Sequence, residues 1–271
     1  VEFAEHRLYN TCEPIRNIDW KLYARTNKLF VKRFEEETNL RCQLVMDTSA
    51  SMYYPPIQYP DVEHPTKLLF SIYAAAALMF LFKQQRDAVG LSIFNNDISQ
   101  TIQARSSAIH IHYLFTELEK LIESQPPSRP HESSIADSLH LIAESIHKRS
   151  LVIIFSDMFD KAGEPELLFH ALQHLRHNKH EVILFYTIDK QLELNFDFEN
   201  RPYRFVDIEN GKEIKLNPYE LRERYMTSMQ NFLDELKFRC GQYHIDLVEA
   251  DIHEGFNQIL LPYLIKRSRL Y

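Results

Sequence analysis

Leu151-Val152-Ile153-Ile154-Phe155-Ser156-Asp157 is an unbroken, largely β-branched apolar run that ends on a hydroxyl and a carboxylate. A strand with one wet face alternates apolar and polar residues. One that is apolar at every position must be covered on both faces, as the strands of a parallel sheet are. Working outward, Leu40-Arg41-Cys42-Gln43-Leu44-Val45-Met46 has the same length and also ends in a polar turn, Asp47-Thr48-Ser49-Ala50-Ser51, which reads as a strand entering a loop.

Helical spacing separates such strands. After the Pro-rich stretch Tyr53 to Pro65, Thr66 starts an apolar helix rich in alanine. Ala88 to Phe94 is a strand, and Ile98 to Gln103 a short alternating one, joined by Asn95-Asn96-Asp97 as a hairpin at one sheet edge. Ile111, Leu114, Phe115, Leu118, Leu121 and Ile122 lie on one helix face, and Ile135, Leu139, Ile142, Ala143 and Ile146 on another, with a loop from Pro126 to Ser134 between them. A helix from about Glu164 to His177 leads to the strand Glu181 to Tyr186. Tyr203 to Asp207, a helix from about Pro218 to Phe238, Ile245 to Glu249 and a last helix near Gly255 to Ile265 complete the chain. This alternation predicts an α/β fold with a doubly wound, mostly parallel, Rossmann-like central sheet and helices on both faces. Residues 1–39 stand outside the alternation. They read as an N-terminal extension packing on the main domain, 40–271, with Leu29 to Phe34 offering an extra strand.

The composition suits one large core: 271 residues, 45% hydrophobic and 25% charged. A net charge of -7 gives no general attraction to phosphate backbones or anionic lipids, so nucleic acid and membrane surfaces are not the expected partners. Cys12, Cys42 and Cys240 are far apart and form no C-x-x-C pair, which points to neither a zinc cage nor a disulfide framework and fits a reducing cytoplasm. Leu68 to Phe82, interrupted only by Ser71, falls short of the roughly 18 to 20 residues a spanning helix needs and reads as a core helix. No export signal is visible in Val1 to Glu5.

In a doubly wound sheet, ligands bind outside the carboxyl ends of the strands where the strand order switches. Asp47 and Asp157 both follow directly on apolar strands, so one rim carries two carboxylates. Asp47-x-Ser49-x-Ser51 adds two hydroxyls on the same turn. Mg²⁺, or Mn²⁺ or Ca²⁺, takes such hard oxygen donors. The same residues also suit a polar turn at a strand end, and Asp157 a helix cap. His174, His177 and His180 recur at a spacing of three. They lack a carboxylate or thiol companion and read as a solvated helix end rather than zinc ligands. Asp19, Trp20 and Arg25 could form a partner surface, although a single tryptophan among mixed charges more often covers a core.

The rim pattern resembles the metal-ion-dependent adhesion site of von Willebrand factor A domains, Asp-x-Ser-x-Ser, a later Thr and a later Asp. Asp47, Ser49, Ser51 and Asp157 match it. The Thr position falls in His131-Glu132-Ser133-Ser134-Ile135, where Ser133 or Ser134 keeps a hydroxyl, and where Ser133 equally suits the N-cap of the helix at Ile135. A longer ordered set, including Glu2 to Tyr9, Arg16 to Lys21, Ala24-Arg25, Phe34 to Glu37, Asp47 to Met52, Asp87 to Leu91 and Ser156 to Asp160, is similar to the bacterial domain-of-unknown-function family 58. The stretch between Tyr9 and Arg16 departs from the Gly-Asp usual there. The resemblance implies a von Willebrand factor A-like fold, a metal-dependent protein-binding role and a MoxR-type AAA+ ATPase, or its client, as partner.

An enzyme is not expected. The main alternative is an aspartate-based, metal-dependent phosphohydrolase, which needs a second Asp two residues after the nucleophile as acid and base. Ser49 occupies that position. No Gly-x-x-x-x-Gly-Lys-Ser/Thr loop and no Gly-x-Ser-x-Gly elbow occurs, and the whole chain has only 5 glycines.

Overall fold

A computed structural model describes residues 2–9, 18–35, 40–95, 98–126, 135–159, 165–207 and 211–270. The chain divides into two compact units, Val1–Asn39 and Leu40–Tyr271.

In the first unit, β1 (Glu2–Leu8) pairs antiparallel with β2 (Phe30–Glu35). Between them lies α1 (Trp20–Thr26), whose N-cap Asp19 accepts the backbone N–H of Lys21 and Leu22. The expected strand over Leu29 to Phe34 therefore exists, but it pairs with β1 and is not a strand of the central sheet. Trp20 is 56% exposed and stands edge-on to Tyr23 at 6.1 Å. It does not cover the core of its own unit, contrary to the usual role of a single tryptophan.

The second unit begins with β3 (Arg41–Asp47), α2 (Lys67–Gln84), β4 (Ala88–Phe94), β5 (Ile98–Arg105), α3 (Ala108–Ile122) and α4 (Ile135–Ser145). It continues through β6 (Leu151–Ser156), α5 (Pro165–His177), β7 (Glu181–Ile188), β8 (Tyr203–Val206), β9 (Glu213–Leu216), α6 (Pro218–Gln242), β10 (Asp246–Asp251) and α7 (Asn257–Leu270). Among the described residues the central sheet has six strands in the order β10-β7-β6-β3-β4-β5. All neighbours are parallel except β5, the antiparallel edge. This is a mixed α/β fold with a mostly parallel sheet.

Because successive side chains on a strand point to opposite faces, β3 sends Cys42, Leu44 and Met46 into one core with α2, α3 and α7. Val45 faces the other core, with α4, α5 and α6. Leu151 to Phe155 divides the same way, and the whole of β6 is buried. The sequence lacks alternation there because both faces are dry. Helix α2 starts at Thr66, whose hydroxyl accepts the N–H of Leu69 at 3.2 Å. It is long and apolar enough to cross a membrane by length and composition, and 61% of it is buried within this fold.

One glycine is required by close approach. At Gly90 on β4 a Cβ would collide with Gln43 Oε1 and lie 2.6 Å from the carbonyl oxygen of Ile102. Gln43 fills that space and donates to Ser92 Oγ at 2.9 Å.

Besides β1 and α1, elements of the second unit also escaped the sequence pattern. After β7 the chain leaves the layer alternation for a single wide helical turn, Lys190–Leu194. An aromatic run follows, and then the hairpin β8–β9. The expected strand at Tyr203 to Asp207 forms as β8, but it pairs only with β9, off the central sheet.

Candidate functional site

The strand order reverses between β3 and β6: β4 and β5 extend to one side, β7 and β10 to the other. The loops leaving the carboxyl ends of β3 and β6 therefore diverge and open a crevice. Asp47 is the last residue of β3 and Asp157 follows β6. The structure brings these two together, with Ser49 and Ser51 on the turn after β3. Ser133 and Ser134, the alternatives for the third hydroxyl, lie outside the described residues.

Asp47 is fully buried. Its Oδ1 accepts the N–H of Ser49 at 2.8 Å, and its Oδ2 accepts the hydroxyl of Ser156 at 2.5 Å. Ser49 and Ser51 hold their hydroxyl oxygens 3.1 Å apart. The turn is anchored by Thr48, whose N–H and hydroxyl both donate to the carbonyl of Phe94. Asp157 caps no helix here. Its Oδ1 accepts the N–H of Phe159 at 3.2 Å, and Oδ2 the ammonium of Lys67 at 2.7 Å. The intervening Met158 has φ of 50°, a left-handed backbone that a side chain ordinarily avoids at a cost of about 1–2 kcal/mol. Ser156 Oγ accepts its N–H at 2.9 Å and stabilises that bend. Stored backbone strain of this kind clusters at functional sites.

Lys67, Ser156 and Glu193 were not among the sequence-derived candidates. Lys67 sits in the first turn of α2 and is 1% exposed. Its ammonium also donates to Glu193 Oε1 at 2.6 Å, and Glu193 Oε2 accepts the N–H of Asp189 at 2.9 Å. A lysine opening an otherwise apolar helix was the one available signal. Nothing local marked Glu193, which lies more than a hundred residues away and is brought in by the turn after β7.

Burial dominates the electrostatics. It raises the Asp47 carboxyl from 3.8 to about 7, with the charge of Asp157 as the second cause and the hydrogen bonds from Ser156 and Ser49 opposing. Burial also raises Glu193, against the pull of Lys67. For Lys67 burial acts downward, but Asp157 and Glu193 outweigh it and hold the ammonium above its ordinary value. Burial thus disfavours the anion of both Asp47 and Glu193.

The donors here are oxygens alone, which could hold a hard cation such as Mg²⁺ and would suit zinc poorly. Among the described residues no three His, Cys, Asp or Glu side chains gather as a metal cluster, so a cation here would depend on the serine hydroxyls. His180 is fully buried and accepts the N–H of Ser150 at 3.3 Å, which corrects its placement on a solvated face. His174 Nδ1 lies 2.9 Å from His140 Nδ1, and His177 is exposed. Cys42 and Cys240 are buried free thiols.

The sequence profile of the family described as "Protein of unknown function DUF58" matches residues 5–232. Two curated relatives, the uncharacterized proteins Rv1480 of Mycobacterium tuberculosis and Mb1516 of Mycobacterium bovis, are each 25% identical over 156 residues, which is 58% of this chain and 46% of theirs. The chain thus spans about half the length of the curated relatives it matches. Among solved structures, the conserved hypothetical protein BatB from Bacteroides thetaiotaomicron superposes with a TM-score of 0.50 at 15% identity, covering 86% of this chain and 100% of that one. That likeness concerns the fold.

Proposed function

The chain belongs to the DUF58 family, and on that premise we propose that it is a protein-binding module of von Willebrand factor A-like architecture whose rim holds a divalent cation. Asp47, Ser49, Ser51 and Asp157 would hold Mg²⁺, or Mn²⁺ or Ca²⁺ in its place, with Ser133 or Ser134 as the further hydroxyl. Bound there, the ion would supply an open position for a carboxylate of the partner, for which a MoxR-type AAA+ ATPase or its client is the candidate.

The observation that carries this reading is the state of Asp47. A fully buried carboxyl raised to about 7 opposes folding when ionised. Neighbouring hydroxyls cannot remove that penalty, and Lys67 is committed to Asp157 and Glu193. A divalent cation beside Ser49 and Ser51 would relieve it. A phosphohydrolase reading is weaker, because an attacking aspartate needs access to substrate and an acid–base partner. Asp47 is buried, and Ser49 stands where the partner would be.

The test is thermal unfolding with MgCl₂ against EDTA, since a ligand held only by the folded state stabilises it by mass action. Mg²⁺ should raise the midpoint for the wild type and leave Asp47→Asn unmoved. Equal midpoints with and without metal in the wild type would sink the proposal. A purified MoxR-type ATPase should then bind more weakly in EDTA, and p-nitrophenyl phosphate should not be turned over.

A further inference from the structure

Beside the rim, between Asp157 and the segment that follows β7, lies a cavity of about 350 Å³. One wall is aromatic. Phe196 stacks at a tilt on Tyr225 with ring centroids 4.4 Å apart, and meets Phe198 edge-on at 4.9 Å. Phe198 in turn meets Phe205 edge-on at 5.4 Å. Each of these four rings stays only half-buried, so the cluster leaves aromatic surface facing the cavity. Asp157, Glu193 and Asp207 also line it, and among the described residues no lysine, arginine or histidine does.

The charges do not balance. Asp157 and Glu193 both pair with the ammonium of Lys67, at 2.7 and 2.6 Å, so two carboxylates face one cation there, and Asp207 also lines the cavity. Three phenols line the same cavity or its edge, and burial is the first cause that raises each of them. Tyr225 is pushed up to about 12, by burial first and Glu193 second. Tyr54 is raised by burial and then Glu193, and Tyr186 by burial and then Asp157.

These features select among occupants. An apolar side chain would satisfy the rings but would strip water from Glu193, 23% exposed at present, and offer no counter-charge. A carboxylate beside Glu193, out of reach of the rim cation, would be repelled. A lysine ammonium supplies charge but is compact and strongly hydrated. A guanidinium is flat, less hydrated, stacks on aromatic faces and forks onto carboxylates. We propose that this cavity receives an arginine side chain of the partner protein, stacked on the wall of Phe196, Phe198, Phe205 and Tyr225 and paired with Glu193. That the occupant belongs to a protein rests on the reading of the chain as a binding module; that it is an arginine rests on the cavity alone.

The full-length chain labelled with ¹³C at its methionine methyls reports both sites at once. Met229 lines the cavity, and Met52 lies next to Ser51 with its side chain buried. The probes are the blocked peptides acetyl-Gly-Arg-Gly-amide, its citrulline analogue, which has the same shape without the charge, and its leucine analogue. The arginine peptide should shift the Met229 methyl saturably, with a Kd of about 1 mM or lower. The citrulline peptide, and the arginine peptide on Glu193→Gln, should bind about tenfold more weakly or worse. Phe198→Leu, at a half-buried ring that carries no charge, should weaken binding with the fold intact. A leucine peptide that binds as well as the arginine one would make the cavity an apolar pocket and overturn the proposal. So would an arginine peptide that leaves Met229 unmoved. Mg²⁺ alone, without peptide, should move Met52 and reports on the metal reading; because Ser51 and Asp157 border both sites, the peptides are titrated in EDTA, so that the two readings fail separately.

Discussion

Asp47→Asn separates the charge of the rim from its shape. The amide keeps the size of the carboxyl and an acceptor oxygen for the N–H of Ser49, now at 2.8 Å. It loses the capacity to ionise and turns the oxygen that accepts the Ser156 hydroxyl into an amide donor, for which Ser156 Oγ can serve as acceptor. The folded-state pKa of Asp47 is raised, from 3.8 to about 7. A group raised in this direction contributes stability that is fully present below the unfolded value and is lost as pH climbs through the folded one. The wild type therefore loses stability between about pH 4 and pH 7 that the variant keeps. At about 1.4 kcal/mol per unit, some three units set a ceiling of about 4 kcal/mol. Relaxation around the ionised carboxylate lowers the expected difference to about 2–3 kcal/mol, or a midpoint higher by about 4–12 °C in the variant. The assay is thermal unfolding by circular dichroism, in EDTA, at about pH 4 and about pH 8. The two proteins should unfold together at the lower pH, and the variant later at the higher. Added Mg²⁺ should then close the gap at the higher pH, because only the wild type gains. If the variant unfolds earlier than the wild type in EDTA at the higher pH, the ionised carboxylate is net stabilising and the reasoning is refuted.

Lys67→Met should lose about 3 kcal/mol in urea unfolding at neutral pH, the low end for a broken buried pair because Glu193 keeps some water. The loss should shrink in acid as Glu193, raised by burial, takes up a proton; a neutral substitution would show that the pair contributes nothing. Gly90→Ala should cost about 1–3 kcal/mol through overpacking against Gln43 and the backbone of β5, read as a lower urea midpoint with an unchanged slope. Because Mg²⁺ needs the Asp47 carboxylate ionised, the Mg²⁺-dependent gain in the wild type should grow as pH rises through about 7. A gain that is flat across that window would place the ion elsewhere.

The fold was legible where burial imposes a local pattern. The continuous apolar run of β6, the largely apolar strand β3 and the helical spacing of α3, α4 and α5 each follow from which faces are dry, and that is written residue by residue. The rim followed from the same runs, since a strand that stops at Asp47 and another that stops before Asp157 place both carboxylates at carboxyl ends. The departures are non-local. Strand β2 reads as a strand from its alternation, but its partner is chosen by register with β1, which no local pattern encodes. The hairpin β8–β9 is short and half-exposed, so its period is weak.

The sequence by itself determined the layered α/β architecture and the identity of the two rim aspartates, because periodicity and strand ends depend only on neighbouring residues. The tertiary structure alone decided what those aspartates face. It brought the ammonium of Lys67 from the start of α2 onto Asp157, and Glu193 from beyond β7 onto the same ammonium. It also set the serine at 156 against Asp47 and gathered aromatic rings and acidic side chains around one cavity. Charges so distant in sequence interact strongly only because the fold removes the water between them, and the depth of that burial is a property of the packed chain rather than of any segment of it.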